Sequence, residues 1–250
     1  MSSCGHVDTL VSAPRGPFFG PLAHGFACGA HIPIHSAQAW NALIDPAAAC
    51  QETRDSLQDS WGISTADEWR EHVDRLLAGE DDGQDTDLLL QLRRDVIARA
   101  GRCDLPAWRA AIRQWGQWRS AAPEVVDGFT VSAGVIIRYE ARFRADGLLP
   151  PDGMVSSVRG YDYGRAVNMA RWGFGGRFCD YRAAESTVLR AGELVRQRYT
   201  SWADYGGGYA LGRVLRFDNE EYGHTYQSVL GPNRMLLTEQ ASPWLHIPFS

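Results

Sequence analysis

The stretch YDYGRAVNMARWGFGG, residues 161–176, decides how this chain is read. Asp162, Arg165, Asn168 and Arg171 recur at every third position among Tyr161, Val167, Met169 and Trp172. At about 100° per residue, Asp162, Arg165 and Asn168 fan across one third of a helix together with Tyr161, Met169 and Trp172. Tyr163, Ala166, Val167 and Ala170 take the other side, so the helix is apolar nearly all round and reads as central and buried. Its polar groups must then be paired, because removing one partner of a buried ion pair costs on the order of 3–5 kcal/mol. Asp162 and Arg165, at i and i+3, can pair with each other. Asn168 is left for a loop backbone, a neighbouring helix or a ligand. The cluster is thus either an internal clamp or the wall of a pocket.

Part of the stretch has an echo. Tyr161, Gly164 and Arg165 recur in spacing as Tyr209, Gly212 and Arg213. A glycine inside a helix costs about 1 kcal/mol relative to alanine, and close approach of a second helix is the natural compensation. The spacing predicts that the two helices cross near these glycines. Arg165 and Arg213 are then expected to converge with Asp162 on one site, where surplus positive charge would suit an anionic ligand. Glu185 or Glu193 on the intervening helix could instead neutralise it. Gly206-Gly207-Gly208 weakens the second helix and implies either a break or tight packing.

Working outward, helix signals dominate. Thr65 with Glu68 is a capping box ahead of the apolar stripe Trp69, Val73, Leu76 and Leu77, and Gly79 ends that helix. Asp85 or Thr86 is expected to cap DLLLQLRRDVIARA. Asp104 with Pro106 opens a helix carrying Trp108, Ile112 and Trp115. Residues 130–146 read as a further helix, although VIIRY (135–139) could be a short strand. Asp180 and Ser201 cap the two helices after the central one; a short HTYQSVL turn and the closing SPWLHIPF follow. GEDDGQD (79–85), SAAPEVVDG (120–128) and DGLLPPDG (146–153) read as connections, and GFGGR (173–177) as a helix end. The expectation is an all-α, or nearly all-α, irregular multi-helix globular bundle. It forms one domain over 1–250, with a less defined N-terminal part at 1–54.

Composition narrows the function classes. The 25 basic residues are all arginine, against 30 acidic ones, for a net charge of −5. Without lysine, a Schiff base, a Walker-type phosphate loop and a Ser–Lys dyad are excluded. No global positive field draws the chain to nucleic acid or anionic lipid. No apolar run approaches the roughly 18 residues of a membrane-spanning helix, and the N-terminus lacks a signal-peptide pattern. The five cysteines (4, 28, 50, 103 and 179) are scattered, as in a reducing, cytoplasmic compartment. No G-x-S-x-G, H-E-x-x-H or Rossmann fingerprint is present.

One other constellation is chemically suggestive. HGFACGAHIPIH places His24, Cys28, His31 and His35 at steps of four, three and four, which on one continuous helix would make a face suited to zinc. Pro33 should end any helix before His35, Gly25 and Gly29 weaken it, and no second ligand pair accompanies it. The alternative is a small-residue helix in the core with histidines at its rim. Asp218-Asn219-Glu220-Glu221 with His224 reads either as acid–base or metal groups, or as a solvated helix end.

YDYGRAVNMARWGF, RYTSWADYGGGYALGR, SPWLHIPF and the upstream SWGISTADEWREHVDRLLAG together resemble the bacterial family named domain of unknown function 1266. The resemblance spans residues 55–250, with 161–217 as its motif core. It implies a mostly helical, bacterial, cytoplasmic protein and no particular reaction. Two functional readings stand. The preferred one is a binding or protein-interaction domain, organised by Tyr161, Asp162, Arg165, Asn168, Trp172 and Arg213, whose partner is a protein or an anionic small molecule. The other is an enzyme or toxin-type effector acting on a nucleotide or other anionic substrate at the same cluster.

Overall fold

The computed structural model describes residues 8–80 and 83–250. Along the chain run α1 (Gly20–Cys28), α2 (His31–His35), α3 (Pro46–Trp61), α4 (Ala66–Ala78), α5 (Gln84–Ala100) and α6 (Leu105–Arg119). They are followed by α7 (Pro123–Ala145), α8 (Arg159–Gly175), α9 (Tyr181–Arg198), α10 (Trp202–Phe217), α11 (His224–Thr238) and α12 (Pro243–His246). Among the described residues there is no strand, and a single isolated bridge joins Val11 to Ala39. The fold is all-α.

Local capping sets many of these boundaries. Thr65 Oγ1 accepts from the Glu68 N–H at 3.2 Å, and the Glu68 carboxylate accepts from the Thr65 N–H at 3.0 Å, closing the capping box of α4. Asp104, Asp180 and Ser201 cap α6, α9 and α10 as their positions predict. Each satisfies a first-turn N–H that the helix itself cannot.

The quoted stretch forms α8, and every residue from Gly160 to Arg171 is buried. Helices α9, α10, α4, α3 and α1 pack around it, so no face reaches solvent for long. Helices α5, α6 and α7 pack on one another, with α7 also against α10. Helix α11 bridges α10 and α2, and α12 seals α1 and α11. Trp244 of α12 is buried, donates to Ala27 O at 3.0 Å, and stacks on Trp202 at 5.2 Å. That contact docks the C-terminal segment.

Several expectations need correction. VIIRY lies inside α7, where Ile136 and Tyr139 face the core; tertiary burial overrides the strand preference of β-branched residues. The same helix starts at Pro123, inside the segment read as a connection, because proline is well suited to a first helical turn. Helix α5 begins at Gln84 after Gly83, not at an Asp85 or Thr86 cap. Asp87 in its first turn instead accepts from the Val158 N–H (3.0 Å), Ser157 Oγ (2.8 Å) and Arg159 Nε (2.7 Å), anchoring the start of α8. HTYQSVL opens a full helix that continues through Pro232. The triple glycine does not break α10. Leu149, Ser157, Tyr199, Asn233 and Trp244 occupy the space side chains would need. Asp81 and Asp82 of the acidic loop, and Cys4, lie outside the described residues.

Candidate functional site at the crossing of two helices

Helices α8 and α10 cross through a reciprocal contact. A Cβ at Gly212 would lie 2.7 Å from Tyr161 Cβ and 2.8 Å from Val158 O. A Cβ at Gly164 would lie 2.6 Å from the Tyr209 ring and 3.1 Å from Cys28 O. Each tyrosine therefore rests on the glycine of the other helix, and the two rings meet edge to face. The echoed Tyr-x-x-Gly spacing is the sequence form of this contact.

The arginine after each glycine goes its own way. Arg165 is 2% exposed, pairs with Asp162, and lies with its guanidinium carbon 4.6 Å from the centre of the Tyr161 ring. Trp61 flanks it at 5.9 Å. Arg213 donates from Nη1 to the Tyr161 hydroxyl at 3.4 Å and from Nη2 to Ser228 Oγ at 3.1 Å. The expected convergence of both arginines on Asp162 does not occur. Tyr161 serves one through its ring and the other through its hydroxyl, and the arginines line different cavities. Glu185 and Glu193 have other partners, Tyr181 and Arg190.

The first cavity, of about 280 Å³, is walled by Val158, Tyr161, Asp162 and Arg165 of the α8 region, by Gly212, Leu215 and Arg216 of α10, and by Gly83 and Thr86. It presents a carboxylate, guanidinium groups, a phenol ring and a hydroxyl to one small space. Such a mixture can hold a small charged molecule through directional hydrogen bonds.

Asn168 belongs to a clamp. Its Nδ2 donates to Gly29 O and Gly164 O, each at 2.9 Å, and its Oδ1 accepts from Arg171 Nη1 at 3.0 Å. Arg171 further donates from Nε to Ala42 O and from Nη2 to Ala39 O, each at 2.9 Å. Burial pulls its pKa down to about 10, still far enough above neutrality to keep the guanidinium charged. Together these side chains stitch α8 to the α1–α2 junction and to the chain ahead of α3. Trp172 is half-buried against Trp61, with ring centres 6.1 Å apart, and takes no part in lining the cavity.

The structure does not bring the histidines and cysteine together as metal ligands. His24 Nε2 meets Phe249 O at 3.1 Å, while its Nδ1 lies 3.8 Å from Cys28 Sγ. His31 Nε2 meets Asn233 Oδ1 at 3.3 Å, and His35 Nδ1 meets Asp8 Oδ1 at 3.1 Å. Among the described residues no three His, Cys, Asp or Glu side chains are placed to hold a metal ion. The reason is a break in the helix: α1 ends before Gly29 and α2 restarts at His31, with Pro33 in a first turn that needs no N–H donor. Burial lowers the pKa of His24 to about 4 and of His31 to about 3, with Arg196 and Arg213 adding to the effect. Both rings are neutral at pH 7. Asp218 is likewise a structural acceptor, taking the Tyr139 hydroxyl at 2.8 Å and the Tyr222 and Tyr226 N–H groups.

One buried network had no sequence signal. Arg93 and Glu140 form a two-pronged pair with both bonds at 2.8 Å, and Arg93 also donates to Val155 O at 2.7 Å. The partners are 47 residues apart, so spacing could not join them. Arg171 is a second case: only its bond to Asn168 is local, and its bonds to Ala39 O and Ala42 O join positions more than a hundred residues apart.

Fold and site together define an all-α protein built on one buried polar helix, with small cavities beside its crossing with a second helix. The chain belongs to the family described as Protein of unknown function (DUF1266), whose profile matches residues 56–249. The match takes in α4 through α12 and leaves α1, α2 and the first part of α3 outside. No curated protein and no solved structure matches the chain. Among the described residues no helix is long and apolar enough to cross a membrane.

Proposed function

We propose that this chain is a bacterial, cytoplasmic binding protein, a single domain over 1–250, whose first cavity takes a small anionic molecule. One observation carries the reading: the buried Asp162–Arg165 pair forms part of a cavity wall. A buried ion pair is a poor device for stability alone, because apolar side chains of the same volume serve as well or better. Placed at a cavity, the pair instead holds a guanidinium oriented for a ligand. Arg165 stacks on Tyr161 and is steered by Asp162, so little side-chain entropy remains to be lost when a ligand binds. Arg216 and Thr86 supply further polar groups on the same wall. The single-domain reading is supported by α1, which precedes the family match yet packs on both α8 and α9.

The experiment is a thermal-shift panel of nucleotides, sugar phosphates and small carboxylates on wild type, Arg165→Gln and Asp162→Asn. The reading expects at least one compound to raise the wild-type melting temperature and to lose that effect in Arg165→Gln. If no compound shifts the wild type while both variants lose several kcal/mol of stability, the pair serves packing only and the proposal fails.

A further inference from the structure

A second cavity, of about 230 Å³, lies on the other side of Tyr161, walled by His31, Ile32, His35, Ser36, Tyr209, Arg213 and Ser228. We infer that it is a separate binding site for a small oxyanion that still carries an O–H, as inorganic phosphate does, held by Arg213 with Ser228 and His31 beside it.

Arg213 stands apart from the protein's buried arginines in what it touches. The buried arginines are committed to strong acceptors within the protein, Arg93 to Glu140, Arg165 to Asp162 and Arg171 to backbone carbonyls, and the half-buried Arg159 pairs with Asp87. Arg213 meets two neutral hydroxyls, those of Tyr161 and Ser228, and among the described residues forms no ion pair. Ser228 Oγ donates its own proton to Thr225 O at 2.8 Å, so toward Arg213 it can only accept. The two hydroxyls therefore position the guanidinium without neutralising it. Two of its five N–H groups are engaged in this way, leaving part of the planar fork for an acceptor in the cavity. The position is itself a product of the crossing. Gly212 lets Tyr161 approach closely, and the Tyr161 hydroxyl then reaches the next residue, Arg213.

His31 supplies the second observation. It is 3% exposed, and its ring lies flat on Tyr209, with centres 3.7 Å apart and planes inclined by 5°. Nε2 is taken by Asn233, yet Nδ1 has no hydrogen-bond partner. Asn233 Oδ1 can only accept, so in the neutral ring Nε2 carries the proton and Nδ1 is an acceptor; leaving it unmet in the interior costs on the order of 1–3 kcal/mol, a penalty that a ligand bearing an O–H would remove. An acceptor nitrogen beside an unneutralised guanidinium suits an oxyanion that also carries an O–H, as inorganic phosphate does near neutral pH, better than a bare carboxylate, which Nδ1 would oppose, or a cation, which Arg213 would repel. The volume limits the ligand: roughly 300–1,000 Å³ is usual for sites that enclose drug-sized molecules. The site fits a free small anion or the terminal group of a larger one, and it shares no charged residue with the first cavity.

The test is isothermal titration of the full chain with inorganic phosphate, and separately with acetate, at pH 7.5 and constant ionic strength in chloride. Wild type is expected to bind phosphate saturably and acetate more weakly, because acetate has no O–H to give His31 Nδ1. Arg213→Gln should weaken that binding about tenfold or more, the loss expected for a charge-assisted hydrogen bond. Arg213→Lys, which keeps the charge but loses the fork, should recover only part of it. Ser228→Ala provides a milder variant if Arg213→Gln folds poorly, and should also weaken binding. Arg102→Gln removes a positive charge at an exposed position outside both cavities and should bind as wild type does. Failure of wild type to bind phosphate saturably would overturn the inference, as would equal phosphate affinity in the folded Arg213 and Ser228 variants. Neither result bears on the first cavity, which is probed through Arg165 and Asp162.

Discussion

Tyr161 and Tyr209 meet edge to face with ring centres 5.3 Å apart and planes inclined by 83°, each seated on a glycine of the helix that carries the other. This relationship fixes how α8 and α10 cross and, through that, where Arg165 and Arg213 point.

Gly212→Ala should therefore destabilise the protein although alanine is the better helix former. The added methyl would meet Tyr161 Cβ and the Val158 carbonyl, neither of which is the movable end of a long side chain. Overpacking of about 1–3 kcal/mol outweighs the roughly 1 kcal/mol gained in propensity. Gly164→Ala presses on the Tyr209 ring and should behave similarly. Urea unfolding reads the difference; a rise in stability for Gly212→Ala would show that the helices have room to part.

Arg171→Met should cost about 3 kcal/mol or more. It leaves the Ala39 and Ala42 carbonyls and Asn168 Oδ1 without their donor in a dry environment. Arg171→Lys should rescue little, because an ammonium cannot reach three divergent oxygens at once. Full rescue by lysine, measured in the same unfolding assay, would contradict the clamp.

Arg93 and Glu140 offer a double-mutant cycle. Glu140→Gln or Arg93→Met alone strands a buried charge and should cost about 3–5 kcal/mol, whereas the pair Arg93→Met with Glu140→Leu should cost much less than the sum. Strict additivity would mean the two side chains act independently.

Acid should weaken the fold before most carboxylates titrate. His24 and His31 have folded pKa values near 4 and 3, below the ordinary 6.5 expected in the unfolded chain. Above pH 6.5 neither state carries the extra protons, so these groups contribute no pH dependence. Below it the unfolded chain takes up protons that the fold refuses, and stability falls by up to about 1.4 kcal/mol per pH unit for each histidine. Between pH 7 and 5 the urea midpoint should drop, and His31→Gln should make that dependence shallower. A flat profile over this window would refute the assignment of both rings as buried and neutral.

How much of this was legible beforehand depended on distance along the chain. The Thr65–Glu68 box, the Asp104, Asp180 and Ser201 caps and the Asp162–Arg165 pair all lie within one helical turn, and all are present in the structure. The crossing was also foreshadowed, because two mid-helix glycines in the same setting required a common explanation. The short HTYQSVL turn and the strand alternative for VIIRY failed for the opposite reason: packing against distant helices overrode a local preference. The Arg93–Glu140 pair and the Arg171 bonds to the chain ahead of α3 had no local signature at all.

By itself the sequence determined that this is an all-α protein with a buried polar helix at residues 161–176, since periodicity, caps and i,i+3 pairing are local and strong enough to survive folding. Only the tertiary structure decided that Arg165 and Arg213 part company at Tyr161, that Asn168 is a clamp, and that the histidines serve separate partners. A side chain's direction follows from the angle and depth at which helices cross. That geometry is set by contacts dozens to hundreds of residues apart, which spacing along one chain does not encode.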